Sequence, residues 1–259
     1  MTRRRLDVEL VRRGIAASRS EAQAAIESGK VMVGGVPTPK PSTMVDGSSS
    51  LRLARRSSRF VSRGGEKLAG ALATFEVAVA GRHCLDAGAS TGGFTDCLLQ
   101  AGASSVVALD VGYGQLAWRI RQDPRVRVVE RTNLRHVDPA AIEAPFEVIV
   151  ADLSFISLCT VAPILAACSA EDTDFVLLVK PQFEAGKGKV GKGGIVRDPR
   201  VHVEVLNKVI HCLEQAGIGA RELIRSPLRG AGGNVEFLLW ARWGRVTVND
   251  EKVEKVVHA

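Results

Sequence analysis

Leu85-Asp-Ala-Gly-Ala-Ser-Thr-Gly-Gly-Phe94 follows a run that reads as a strand, His83–Asp86, and opens a helical stretch, Gly92–Ala101. Glycines in such a turn let the backbone come close to a ligand, and the helix N-terminus behind them offers unpaired N–H groups. The spacing is not G-x-G-x-x-G, because Ser90 stands where that fingerprint has its second glycine. Asp86, Gly88, Ala89, Ser90, Thr91, Gly92, Gly93 and Phe94 form the expected cofactor cradle. Asp110 ends the next strand, 22 residues after Gly88. A carboxylate there can accept hydrogen bonds from both hydroxyls of a cofactor ribose. Val111 beside it, and Asn133 and Leu134 past the third strand, are expected around the cofactor's base; Asn133 reads equally well as a turn residue.

Outward from this loop, strands and helices alternate. Ser105–Asp110, Val126–Glu130, Phe146–Asp152 and Phe175–Lys180 read as strands, with a helical stretch at Gln115–Gln122 among the connections. That order predicts a mostly parallel sheet with helices on both faces, an α/β Rossmann-like fold. After a helix near Pro199–Gly217, the strands Arg221–Arg225 and Val235–Trp243 are joined by too few residues for a crossover helix. They predict a terminal antiparallel hairpin, which nicotinamide enzymes usually lack.

Residues 1–59 have a different texture. They carry 12 Lys/Arg against 5 Asp/Glu, so the whole formal net charge of +7 sits there, and residues 60–259 are neutral overall. A small basic α+β module on a neutral body reads as an anchor for a polyanion. Leu6, Leu10 and Val11 form a helical stripe closed by Gly14, Ser18-Arg-Ser-Glu21 reads as a capping box, and the second helix ends near Gly29. Val31–Val33 and Val36 flank a Gly34-Gly35 turn, Leu51–Leu53 reads as a closing strand, and residues 55–59 as a basic linker. Five scattered cysteines without C-x-x-C spacing argue against a disulfide framework or a zinc site and fit a reducing cytoplasm. The longest apolar runs fall short of the roughly 20 residues a membrane helix needs.

Four polar residues fall at the ends of elements in the body: Lys67 in Ser62-Arg-Gly-Gly-Glu-Lys67, Asp152 after the fourth strand, Lys180 after the fifth, and Glu236 in the last. The carboxyl ends of parallel strands face one crevice, so Asp152 and Lys180 point toward the glycine loop. Phe155, three residues on, reads either as a stacking aromatic or as core. Gly186-Lys-Gly-Lys-Val-Gly-Lys-Gly-Gly194 reads as a basic lid, with Lys187, Lys189 and Lys192 beside the site.

The loop resembles D-x-G-x-x-x-G-G-F, the first motif of ribose 2′-O-methyltransferases of the FtsJ type, and the four polar residues match that group's Lys-Asp-Lys-Glu tetrad. The first 59 residues resemble the small RNA-binding module shared by a ribosomal protein and RNA-modifying enzymes. With Val61–Lys67, Val111–Trp118, Ala151–Leu158 and Val179–Gly186, the match spans nearly the whole chain and is similar to the TlyA family of rRNA cytidine 2′-O-methyltransferases. The resemblance implies S-adenosylmethionine as cofactor and cytidines of 16S and 23S ribosomal RNA as substrate. It also implies an effect on sensitivity to capreomycin-type antibiotics. It assigns catalysis to Lys67, Asp152, Lys180 and Glu236, with Asp152 and Phe155 also against the cofactor. It places RNA contacts at Arg3, Arg4, Arg5, Arg12, Arg13, Arg19 and Lys30; Arg63 and the lid lysines are expected to add to them, the lid reading otherwise as a solvated loop. A ribose hydroxyl barely ionises at neutral pH, so Lys180 is expected as base or orienter, Asp152 holding it while Lys67 and Glu236 fix the ribose. The expected partners are ribosomal RNA or ribosomal subunits, with no metal, no membrane and a monomeric chain. Two other readings compete: a haemolysin, since members of the family carry that name, and a non-catalytic ribosome-assembly factor.

Overall fold

The computed structural model describes residues 3–27, 30–38, 40–53, 59–186 and 188–259. The chain divides into two compact units, Met1–Ser58 and Arg59–Ala259. The helix end near Gly29, the linker residues 55–58 and Lys187 lie outside the described residues.

In the small unit, β1 (Arg4–Arg5) leads into α1 (Leu6–Arg12), followed by α2 (Arg19–Glu27), β2 (Val31–Val33), β3 (Val36–Pro37), β4 (Met44–Val45) and β5 (Leu51–Leu53). β2 pairs antiparallel with both β3 and β5, and β1 pairs with β4. Leu6, Leu10, Ala22, Ile26, Val31 and Val45 bury together as its core. The capping box forms with a shift of one residue: Ser18 Oγ accepts from Glu21 N at 3.1 Å, while the Glu21 carboxylate accepts from Ala17 N at 2.8 Å.

The large unit runs α3 (Arg63–Thr74), β6 (His83–Ala87), α4 (Gly93–Gln100), β7 (Ser105–Leu109), α5 (Trp118–Arg121), β8 (Val126–Val129), β9 (Phe146–Ala151) and α6 (Leu158–Ala167). It continues through β10 (Ser169–Val179), α7 (Pro181–Glu184), α8 (Pro199–Gln215), β11 (Ile218–Arg225), β12 (Phe237–Trp243) and α9 (Asp250–His258). The sheet order is β11-β12-β10-β9-β6-β7-β8. Five central and edge strands, β10 to β8, are parallel, and β12 runs antiparallel between β10 and β11. The expected parallel sheet and terminal hairpin are both present. Alternation along each strand feeds two layers. Leu85, Ile149, Phe175 and Leu177 face α6, α8 and α9, whereas Cys84, Val148, Val150 and Val176 face α3 and α4.

Three expectations need correction. Cys159 on α6 and Cys212 on α8 form a disulfide, with Cα atoms 5.2 Å apart; facing positions on neighbouring helices bring them together across 53 residues. Cys84, Cys97 and Cys168 are free and buried. The helix read at Gln115–Gln122 is only the one turn of α5, because residues 111–117 carry a turn around Gly114 at φ +69°. β10 begins six residues earlier than expected, where polar Ser169–Asp174 joins β9 through a register shift.

The strand order reverses at β6, whose neighbours β7 and β9 lead away in opposite directions. At such a switch point the loops past the carboxyl ends of the strands diverge and leave a crevice. Gly88, Asp110, Asp152 and Lys180 each come one residue after β6, β7, β9 and β10 respectively, so all four stand on one rim.

Candidate active site

The glycine loop is built by close approach. A Cβ on Gly88, at φ +89°, would lie 2.7 Å from the Asp152 carbonyl oxygen, so the loop touches the segment carrying the acid. A Cβ on Gly93 would lie 2.1 Å from Ser62 Oγ, the side chain that caps α3 by accepting from Gly64 N at 3.3 Å. The N-termini of α3 and α4 therefore converge on the same cleft. Ser90, in the position of the missing glycine, nonetheless adopts φ +47°. Its N–H donates to Asp110 Oδ2 at 2.8 Å, and Gly112 N donates to Asp110 Oδ1 at 2.7 Å. Asp110 thus braces the loop and keeps further lone pairs for a ligand. Asp86 is buried beneath the loop, accepts from Thr95 Oγ1 at 2.6 Å, and lines neither cleft described below. Burial pushes its carboxyl up to about 7, the Thr95 bond pulling the other way and the Asp152 charge adding to the rise.

Two adjoining clefts flank the loop. One, of about 570 Å³, has an apolar slot of Leu109, Val111, Leu134, Leu153 and Ile156 with Asp110 at its edge. The other, of about 260 Å³, is lined by Lys67, Gly93, Asp152, Lys180 and Arg229. Gly88, Ser90, Asp152 and Ser154 belong to both. An apolar slot, a strand-end carboxylate and a loop with no room for a Cβ at Gly88 or Gly93 fit a nucleoside with a charged tail, as S-adenosylmethionine requires. Asn133 lines the slot, but its amide oxygen accepts from Arg135 N at 3.1 Å, so the turn role is realised.

The four tetrad residues meet in two ion pairs. Lys180 Nζ lies 2.6 Å from Asp152 Oδ1 and donates to Ser154 Oγ at 3.0 Å. Lys67 Nζ donates to Glu236 Oε2, and both residues are buried, 8% and 2% exposed. Glu236 stands behind Lys67, just before β12, and a Cβ on Gly230 would fall 1.9 Å from its Oε1. Gly230 is the glycine this closure demands. Phe155 is 91% exposed at φ +64°, which removes the core reading, and its ring centroid lies 4.9 Å from that of Phe183. Ser62, Ser154, Phe183, Arg229 and Gly230 are site residues that motif reading missed. Ser154 and Phe183 sit inside the recognised runs, whereas Arg229 and Gly230 lie in a loop with no sequence signal.

The matches to known proteins follow this geometry. The family model for FtsJ-like methyltransferases matches residues 60–243. The chain belongs to the FtsJ-like methyltransferase family. A model of the S4 domain matches residues 4–51 of the same chain. The methyltransferase is 54% identical over 93% of its length to the 16S/23S rRNA (cytidine-2′-O)-methyltransferase TlyA of Mycobacterium tuberculosis, covering 90% of that protein. It is 41% identical to Hemolysin A of Brachyspira hyodysenteriae, covering 90% of this chain and 98% of that one. A solved hemolysin-named structure from Streptococcus thermophilus superposes with a TM-score of 0.80 at 38% identity, covering 100% of this chain and 95% of that one. Among the described residues, no helix is long and apolar enough to cross a membrane, and no cluster of metal-ligating side chains occurs.

In the methyltransferase's S4 unit, several of the arginines expected on RNA also hold buried acids. Asp7 accepts from Arg5 at 3.0 Å, Arg19 at 3.0 Å and Gln23 at 3.0 Å. Glu9 accepts from Arg12 at 2.6 Å and Arg13 at 2.7 Å. Arg13 also donates to the carbonyls of Ser49 and Asp46 at 2.7 and 2.9 Å, so it is committed to the fold of the unit. Arg4, Arg5, Arg12 and Arg19 keep solvent-facing edges, and Arg3 and Lys30 are exposed. In the lid segment, Lys189 pairs with Glu204 and Lys192 is exposed. Arg63, at the site's rim, donates to the Arg229 carbonyl at 2.7 Å.

Proposed function

We propose that this chain transfers the methyl group of S-adenosylmethionine to the ribose 2′-hydroxyl of a cytidine in ribosomal RNA, with Lys67, Asp152, Lys180 and Glu236 as its catalytic residues. The observation that carries the reading is the pair of lysine–acid contacts at one small cleft, joined through Gly88, Ser90 and Asp152 to a nucleoside-sized slot. The kinship with rRNA (cytidine-2′-O)-methyltransferases supports the substrate class. The cradle residues of the Gly88–Phe94 loop, with Asp110, Val111, Asn133, Leu134 and Phe155, are assigned to the cofactor, and Asp86 supports that loop from beneath. Bound S-adenosylmethionine supplies a methyl group activated by its sulfonium charge.

The rest falls to the protein. Lys180, steered by Asp152 and Ser154, meets the 2′-hydroxyl: as the ammonium it orients the oxygen for in-line attack, and as the neutral amine, its own proton released beforehand, it takes the hydroxyl proton. Lys67, locked by Glu236, holds the ribose from the α3 side. Phe155, exposed over Phe183, stacks on a base splayed from the RNA. The S4 unit, Arg63 and the lid lysines grip phosphates of structured RNA, which sets register and adds affinity. The activity belongs in the cytoplasm, with a monomeric chain acting on ribosomal RNA or subunits, and its loss alters sensitivity to capreomycin-type antibiotics.

Purified protein, labelled S-adenosylmethionine and ribosomal subunits or naked rRNA test this directly. Label is expected on a cytidine ribose, mapped by resistance of the adjoining linkage to alkaline cleavage. Protein that binds rRNA but transfers no label would leave the assembly-factor reading in its place.

A further inference from the structure

A third cleft, of about 380 Å³, opens beside the small catalytic one. Its walls are the end of β11, the start of α8 and the glycine loop before β12, and they carry Arg197, Arg225 and Arg229. Arg229 lines this cleft and the catalytic cleft together. Among the described residues, none of these three arginines has a carboxylate partner. Elsewhere on the large unit Arg82, Arg119, Arg121, Arg125, Arg127 and Arg242 are each paired. The nearest acid in sequence, Asp198, is spent capping α8 through Arg200 N at 2.9 Å and lies 3.8 Å from the Arg200 guanidinium. Three unpaired guanidinium groups on one concavity repel one another, and an anion between them turns that repulsion into attraction.

The floor of the cleft is also prepared. His202 is buried, its Nε2–H donating to the Val196 carbonyl at 3.1 Å, and its ring meets Phe237 edge-on at 5.6 Å. The Val196 bond fixes the tautomer, so Nδ1 carries no proton in the neutral ring. Burial first, and the Arg225 charge after it, hold this imidazole below its usual range. Arg229 is anchored from both sides: its carbonyl accepts from Arg63, and its Nη1 donates to Gly233 O at 3.3 Å.

We propose that this cleft is an anion site for a backbone phosphate of the same RNA strand whose ribose enters the catalytic cleft. The inference rests on the RNA reading above. Arg229 links this cleft to the catalytic one, because one side chain shared by two clefts marks the path of a strand between them. The arginine fork suits a phosphate, and a contact of this kind fixes strand register while carrying little sequence information.

The test uses the full chain with Arg197→Gln and Arg225→Gln together. Both side chains are exposed, and S-adenosylmethionine affinity by calorimetry checks that the fold is kept. Binding to an rRNA fragment is measured across a salt series. We expect Kd to rise about tenfold near physiological salt and the slope of log Kd on log salt to fall by about 0.7, the value of one single-strand phosphate. The Arg→Lys pair should restore the slope, since the slope counts charge. In wild type, RNA should raise the titration midpoint of His202 in NMR spectra, because a bound phosphate offsets Arg225. Wild-type Kd and slope in the Gln variant would overturn the site while leaving methyl transfer intact. A lost slope in a protein that transfers no methyl would keep the site and sink the transfer reading. A His202 response to inorganic phosphate alone, with an unchanged RNA slope, would overturn the assignment to the strand.

Discussion

Single side chains divide the labour at this site. Lys180→Met removes the amine but preserves the length and much of the packing of the side chain. We expect kcat to fall by about 10² to 10⁴, the usual range for a proton-transferring group, with S-adenosylmethionine affinity and Tm close to wild type. Retained turnover in a methyl-transfer assay would remove Lys180 from the reaction. A pH–rate profile separates its two roles: an ionisation between about pH 6 and 9 marks a base, a flat profile an orienter. Asp86 makes a different prediction. Its folded value of about 7 lies above the ordinary 3.8, so between those limits the native chain holds a proton that the unfolded chain has released. Stability therefore falls as pH rises through that window, by up to about 1.4 kcal/mol per unit, and levels off above it. Asp86→Asn should flatten this slope in denaturant titrations run from pH 4 to 8. At this scale Asp110, Asp152 and Lys180 were legible, since each directly follows a parallel strand. Phe155 was not, because its exposure follows from a left-handed backbone at a non-glycine residue.

At the scale of helices and strands, sequence pattern and tertiary pairing part company. The alternation of strand and helix, and the short link before the last strand, were enough to predict the parallel sheet and its antiparallel hairpin. Polar Ser169–Asp174 escaped notice as strand because its pairing with β9 is an irregular edge extension without an apolar pattern. The Cys159–Cys212 link escaped because it depends on which faces of α6 and α8 meet, information that residue spacing does not hold. Alkylation of the denatured, unreduced protein should block Cys84, Cys97 and Cys168 only, as read by mass spectrometry; prior reduction should raise the count to all five cysteines. Five alkylated cysteines without reductant would contradict the α6–α8 link. Similarly, Lys67 and Glu236 read singly as charges at element ends, and only the return of β12 alongside β10 explains how they pair.

For the molecule as a whole, the two units have separate cores that carry their buried acids differently. The S4 unit depends on Asp7 and Glu9. Arg5 chiefly holds Asp7 well below the carboxylate range, and Arg12 followed by Arg13 brings Glu9 down to about 2. Their contribution is present above the ordinary carboxylate range and is lost as pH falls through the folded values. In the larger unit Asp86 works the other way and offsets Asp174, which burial would raise but Arg242, Arg82 and Trp240 hold below the ordinary range. Acid titration followed by NMR should therefore melt the S4 unit first, the methyl signals of Leu10 and Ile26 losing dispersion while those of Leu85 and Phe175 neighbours persist. A single transition shared by both cores would refute their independence.

The Lys67–Glu236 contact joins residues 169 positions apart in the chain. In chain order the glycine loop and Lys180 both precede Glu236. Until Glu236 is in place Lys67 has no acid to settle it, and β10 lacks its antiparallel neighbour. The two contacts at the cleft are therefore completed in order, the Asp152–Lys180 pair needing only the parallel strands and the Lys67–Glu236 pair waiting for the last strand to dock.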